Sequence, residues 1–116
     1  MRLDHVQVAI PAGGESRARA FFGDILGLPE IAKPAELQAR GGCWFQLGDR
    51  QLHLGVDPEF RPARKAHIAL SVPHLSALRE RLSSAGCEIA DDVPLGRRAR
   101  FFSSDPFGNR IEFLEE

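Results

Sequence analysis

The sequence lacks the features that mark a secreted, membrane-spanning or nucleic-acid-binding chain. It has two cysteines, Cys43 and Cys87, far apart and without CxxC spacing. That excludes a disulfide framework and reads as two reduced core thiols of a cytoplasmic protein. No apolar run approaches the ~20 residues of a membrane span. Neither sign of charge is in excess, since 15 Lys and Arg face 16 Asp and Glu, leaving a net charge of −1. Binders of nucleic acid or anionic membranes carry a clear basic surplus, and this chain has none. The N-terminus, Met1-Arg2-Leu3-Asp4-His5, is charged and leads into a strand-like run rather than a signal peptide. What is present is 116 residues, 43% of them hydrophobic. That suits one soluble domain, able to bury roughly two-thirds of its unfolded surface without a staple.

The chain repeats itself. His5-Val6-Gln7-Val8-Ala9-Ile10-Pro11 reads His, apolar, x, apolar, x, apolar, Pro, and His67-Ile68-Ala69-Leu70-Ser71-Val72-Pro73 repeats the pattern 62 positions later. A helical stripe follows each: Ala18, Phe21, Phe22, Ile25 and Leu26 in the first, Leu75, Leu78, Leu82 and Ala85 in the second. Each helix stops at a glycine, Gly27 or Gly86, suited to a left-handed cap, and Glu-Ile follows at 30–31 and 88–89. Both halves then show a third strand, Trp44–Leu47 and Phe101–Ser104, and a fourth, Gln51–Val56 and Ile111–Leu114. The order predicts an α+β fold of two tandem βαβββ modules, about 1–56 and 66–116, joined by the linker 57–65 within a single domain, 1–116.

Strand side chains alternate faces. Val6, Val8 and Ile10 form one apolar face, and Ile68, Leu70 and Val72 another, with the helices to cover them. The opposite faces are polar or small and line a cleft. His5, His53, His67 and Glu112 each fall on such a face, on strands at equivalent places in the two repeats. Three imidazoles and a carboxylate suit a divalent transition metal such as Ni, Zn, Co, Mn or Fe. Gln7 shares the polar face of the first strand, and Trp44 and Phe102 read as pocket wall. Arg100, matched by repeat to Cys43, is placed to clamp a carboxylate or phosphonate, although a solvated edge charge is the plainer reading. His74 has Ala12 as its repeat partner and is excluded from the site.

These residues resemble the vicinal oxygen chelate superfamily of glyoxalase I, bleomycin-resistance proteins, fosfomycin-resistance thiol transferases, methylmalonyl-CoA epimerase and extradiol dioxygenases. The resemblance is carried by Leu3-Asp4-His5-Val6-Gln7-Val8, by Ala66-His67-Ile68-Ala69-Leu70-Ser71-Val72, and by Asp105-Pro106-Phe107-Gly108-Asn109-Arg110-Ile111-Glu112-Phe113. It implies a cup-shaped half-barrel with helices outside, commonly in a homodimer. It also implies metal ligands at His5, His67 and Glu112, with His53 standing where a fourth often lies. No named member matches at every position: bacterial glyoxalase I has glutamate, and methylmalonyl-CoA epimerase glutamine, where this chain has His53.

The expected activity is therefore a metal-dependent lyase or isomerase of the glyoxalase type. Its substrate is a small molecule chelated through neighbouring oxygens. Glu112 is the first candidate for the proton-accepting base and His53 the second. The alternatives are a drug- or metabolite-sequestering protein of the bleomycin-resistance type, or a dioxygenase or thiol-transferase member of the same superfamily. No nucleic-acid or membrane partner is expected.

Overall fold

Alternating apolar and polar residues make His5–Ile10 a strand, β1, whose apolar side ends on the fully buried Ile10. A computed structural model describes all 116 residues and places β1 in the first of two units, Met1–Pro62. β1 leads through Gly13, at φ 77°, into α1 (Glu15–Ala18) and a π-helical continuation, Arg19–Ile25. After β2 (Glu30–Ile31) comes a 3-10 helix, Ala35–Arg40, and then β3 (Cys43–Leu47) and β4 (Arg50–Val56). The sheet order is β1-β4-β3-β2, with β1 and β4 parallel and the other pairs antiparallel. Phe21, Phe22, Phe45, Leu52 and Leu54 are its buried core. Burying each such side chain contributes about 1.5–3 kcal/mol.

The second unit, Ala63–Glu116, repeats the plan. Its strands are β5 (Ile68–Val72), β6 (Ala90–Asp91), β7 (Arg100–Ser104) and β8 (Arg110–Glu115), in the order β5-β8-β7-β6 with β5 and β8 parallel. Helix α2 (Leu75–Ser84) buries Leu78 and Leu82, the middle of the expected stripe. The core adds Phe101, Ile111 and Phe113. Neither four-stranded sheet closes on itself, and β1 and β5 are edge strands with only half-buried Val6, Val8, Ile68 and Leu70.

Four details depart from the sequence expectation. The first helix is α-helical for one turn only. Leu26 N–H then reaches Phe21 O at 2.9 Å, a five-residue step that widens the helix while Phe21 and Phe22 both stay buried. β6 forms at Ala90–Asp91 rather than at Glu88-Ile89, because Glu88 O is taken by the Ser103 hydroxyl at 2.8 Å. Register also moves the repeat partner of Arg100. Trp44 lies opposite His53 and Phe102 opposite Glu112, so Phe101 matches Cys43 and Arg100 matches Gly42. Finally, the end of segment 57–65 belongs to the second unit. Ala63 N–H donates to Asn109 Oδ1 at 2.9 Å, and Ala63 O accepts from Arg110 N–H at 2.8 Å.

The turn Asp105–Asn109 explains that attachment. Asp105 is buried and its carboxylate accepts three hydrogen bonds, from Phe107 N–H, Asn109 N–H and Asn109 Nδ2, at 2.8–2.9 Å. Asn109 is thereby held so that its Oδ1 faces Ala63. Burial nonetheless pushes the Asp105 carboxyl above the ordinary aspartate value, outweighing those donors.

Candidate functional site

Strand parity sends His5 and His53 to the face of the first sheet opposite its buried core. Cross-strand register then brings the imidazoles together, with ring centroids 4.2 Å apart and planes 20° from parallel. Trp44 covers the other side of His53, at 3.6 Å and 1°, because β3 and β4 pair these two residues directly. His53 is thus sandwiched and 5% exposed. Burial, followed by the neighbouring His5, pushes its pKa down, so the ring is neutral at physiological pH. His53 Nε2 lies 2.8 Å from Gln51 Oε1, while His5 Nδ1 lies 2.8 Å from Asp4 Oδ1. A proton on His5 Nδ1 leaves Nε2 as its free donor nitrogen, the orientation that carboxylates impose on metal-bound histidines.

The second unit brings His67 and Glu112 together. His67 precedes β5, and its Nδ1 is 2.9 Å from Lys65 O, which turns Nε2 toward Glu112. That Nε2 lies 3.0 Å from Glu112 Oε2. The other carboxylate oxygen, Oε1, accepts from Arg100 Nη1 at 3.0 Å. Glu112 is 4% exposed. Burial raises its pKa, but Arg100 and His67 together outweigh that and hold the carboxyl below the usual glutamate range. Phe102 meets His67 edge-on at 5.3 Å and carries the Arg110 guanidinium 3.8 Å from its ring centroid.

Neither unit gathers three His, Cys, Asp or Glu side chains around one point; each holds a pair. The pair in the second unit passes a simple fit test. Two donors on adjacent corners of an octahedral ion, each about 2.1 Å from it, stand about 3.0 Å apart. His67 Nε2 and Glu112 Oε2 have that separation. The pair in the first unit offers two imidazoles, each with one ring nitrogen held by a side-chain oxygen, so the donor chemistry suits a divalent transition metal.

Other sequence candidates fall as follows. Arg100 faces the site, but its guanidinium is engaged by Glu112, by Val93 O at 2.7 Å and by Asp92 at 3.3 Å, so clamping a substrate anion requires exchange of these partners. Gln7 lies across the space left by Gly55: a Cβ there would stand 2.6 Å from Gln7 Nε2. His74 is exposed at the start of α2. The two cysteines are free, and burial pushes the Cys43 thiol up to about 11, which leaves it inert.

The Glyoxalase/Bleomycin resistance protein/Dioxygenase superfamily model matches residues 2–113. The chain belongs to this superfamily. A glyoxalase family protein from Bacillus anthracis is 48% identical, with a TM-score of 0.94 over 100% of this chain and 95% of that one. Two more distant structures share the fold. A lactoylglutathione lyase from Agrobacterium tumefaciens is 16% identical, with a TM-score of 0.75 over 98% of this chain and 92% of its own. A fosfomycin resistance protein from Listeria monocytogenes is 15% identical, with a TM-score of 0.76 over 100% and 93%. No curated protein matches the chain. The glyoxalase superfamily is generally metal-dependent, in keeping with the two donor pairs. No helix of this glyoxalase-superfamily chain is long and apolar enough to cross a membrane.

Proposed function

We propose that this protein is a divalent-metal-dependent lyase or isomerase of the glyoxalase type, acting on a small molecule with neighbouring oxygens. The observation that carries the reading is the His67–Glu112 ion pair, two atoms of metal-ligating type 3.0 Å apart, with the far side of each oriented by Lys65 O and by Arg100. His5, His53, His67 and Glu112 would hold the ion. When bound, it would supply Lewis-acid polarisation of the two substrate oxygens.

This chain's own groups supply the proton chemistry. Glu112 is ionised at neutral pH and, as it stands, a weak base, because Arg100 and His67 both stabilise its charge. Release of the His67 contact frees Oε2 and strengthens it as a proton acceptor. His53, neutral and packed between His5 and Trp44, is the second acceptor. Trp44 and Phe102 wall the ligand and exclude water. The open edges of β1 and β5 support a homodimer as the working assembly.

Metal analysis of the purified protein, paired with a turnover screen of hemithioacetals, epoxides and catechols, tests the reading. The expected result is about one ion of Ni, Zn, Co, Mn or Fe per chain. Glu112→Gln is expected to lower turnover by about 10²–10⁴-fold while ligand still binds. Protein without stoichiometric metal, binding its ligand equally well after chelation, would replace this reading with a sequestering module.

A further inference from the structure

On the same face of the first sheet as His5 and His53 lies a cavity of about 150 Å³ that neither metal ligation nor proton transfer uses. Two cations, Lys33 and Arg40, line it together with Trp44, Gln7, Gly55 and Leu37. No acidic side chain does. Lys33 follows β2 and donates to Gly41 O, which fixes its ammonium at the rim. Arg40 ends the 3-10 helix, is exposed, and enters no ion pair in the chain. The nearby acid, Glu15, accepts from Gly42 N–H at 3.1 Å and keeps its charge, which screens Lys33 in part and leaves Arg40 without a partner. Trp44 gives the cavity an apolar wall, and the missing side chain of Gly55 lets the Gln7 amide lie across it.

We infer that this cavity is an oxyanion subsite, in which Lys33 and Arg40 hold the carboxylate or phosphate end of a short oxygenated ligand over Trp44. The inference rests on the metal reading above only for what lies at the ligand's other end. Arg40, a cation with no ion pair, and Lys33, screened in part by Glu15, beside an indole and an amide match a small anion with a short apolar stem. Trp44 belongs to both places, since it stacks on His53 and lines the cavity. Gly55 stands two residues beyond His53 on β4, roughly 7 Å along the strand. The ligand is therefore an oxygenated acid or phosphate ester whose anion lies only a few bonds from its chelating oxygens.

Trp44 is the protein's only tryptophan, so its fluorescence reports on this cavity. Inorganic phosphate and acetate would each be titrated into the protein as purified and after chelation, with chloride at matched ionic strength as the blank. The expected result is a saturable change with phosphate or acetate, retained after chelation, and weakened about tenfold by Arg40→Gln. The tighter of the two probes distinguishes a phosphate ester from a carboxylic acid. Lys33→Gln should act in the same direction, but Arg40, lacking an internal partner, is the decisive position. A response equal to that of chloride, or an affinity unchanged in Arg40→Gln, overturns the subsite. Neutral hydroxyacetone separates the two ideas. Its binding should ignore Arg40 and disappear on chelation if the metal reading holds, whatever phosphate does.

Discussion

Single side chains in this protein stabilise by what they accept as much as by what they bury. Glu15 Oε1 takes the N–H of Gly42, and that hydrogen bond holds its carboxyl below the ordinary value of 4.5. A depressed folded pKa means stability that is present above about pH 4.5 and lost as pH falls through the folded value. Glu15→Gln is therefore expected to cost about 1 kcal/mol at neutral pH, the difference closing in acid. Urea denaturation of both proteins at pH 7 and pH 3 measures it. Asp105 behaves differently, since its hydrogen bonds come from three donors in one turn. Asp105→Asn sets an amide donor against Asn109 Nδ2, and Asn109 cannot turn over without losing Ala63. A loss of about 1–3 kcal/mol is expected in the same experiment. A smaller effect would mean that the turn does not fasten residue 63.

Elements show where pattern in the sequence stops being informative. Gly42 enters β3 at φ 80°, and a Cβ there would stand 2.0 Å from Leu54 O. Gly42→Ala should destabilise by several kcal/mol, seen as a lowered thermal midpoint, because neither strain nor clash can relax without moving β4. The strands carrying His5, His53 and Glu112 were legible because period-two alternation assigns each residue a face regardless of neighbours. The π-helical stretch was not. Its wider turn keeps Phe21 and Phe22 inward just as an α-helix would, so the hydrophobic pattern cannot separate the two. Lys33 and Arg40 were missed for a different reason. Lys33 precedes and Arg40 ends a 3-10 segment with no apolar period, and only the folded chain brings them to one cavity.

At the scale of the whole molecule, each of the two units carries one pair of candidate metal donors. A bound ion at a hundredfold excess over its dissociation constant should stabilise the protein by about 2.7 kcal/mol. Under the proposed ligand set, His67→Ala should abolish most of that gain in a calorimetric scan. A stabilisation that survives the change would take the His67–Glu112 pair out of the metal reading.

The parallel pairing of the first strand of each unit with its last has a consequence for biosynthesis. β1 waits for β4, some forty residues later, before its hydrogen-bonding edge is satisfied. During translation the first unit has every strand of its sheet only once Val56 has left the ribosome, and the second only once Glu115 has. Each unit therefore closes late and all at once, in two successive steps of similar size. A stop codon after Phe113 would cut into β8 and leave Ser71 and Val72 of β5 without their partners.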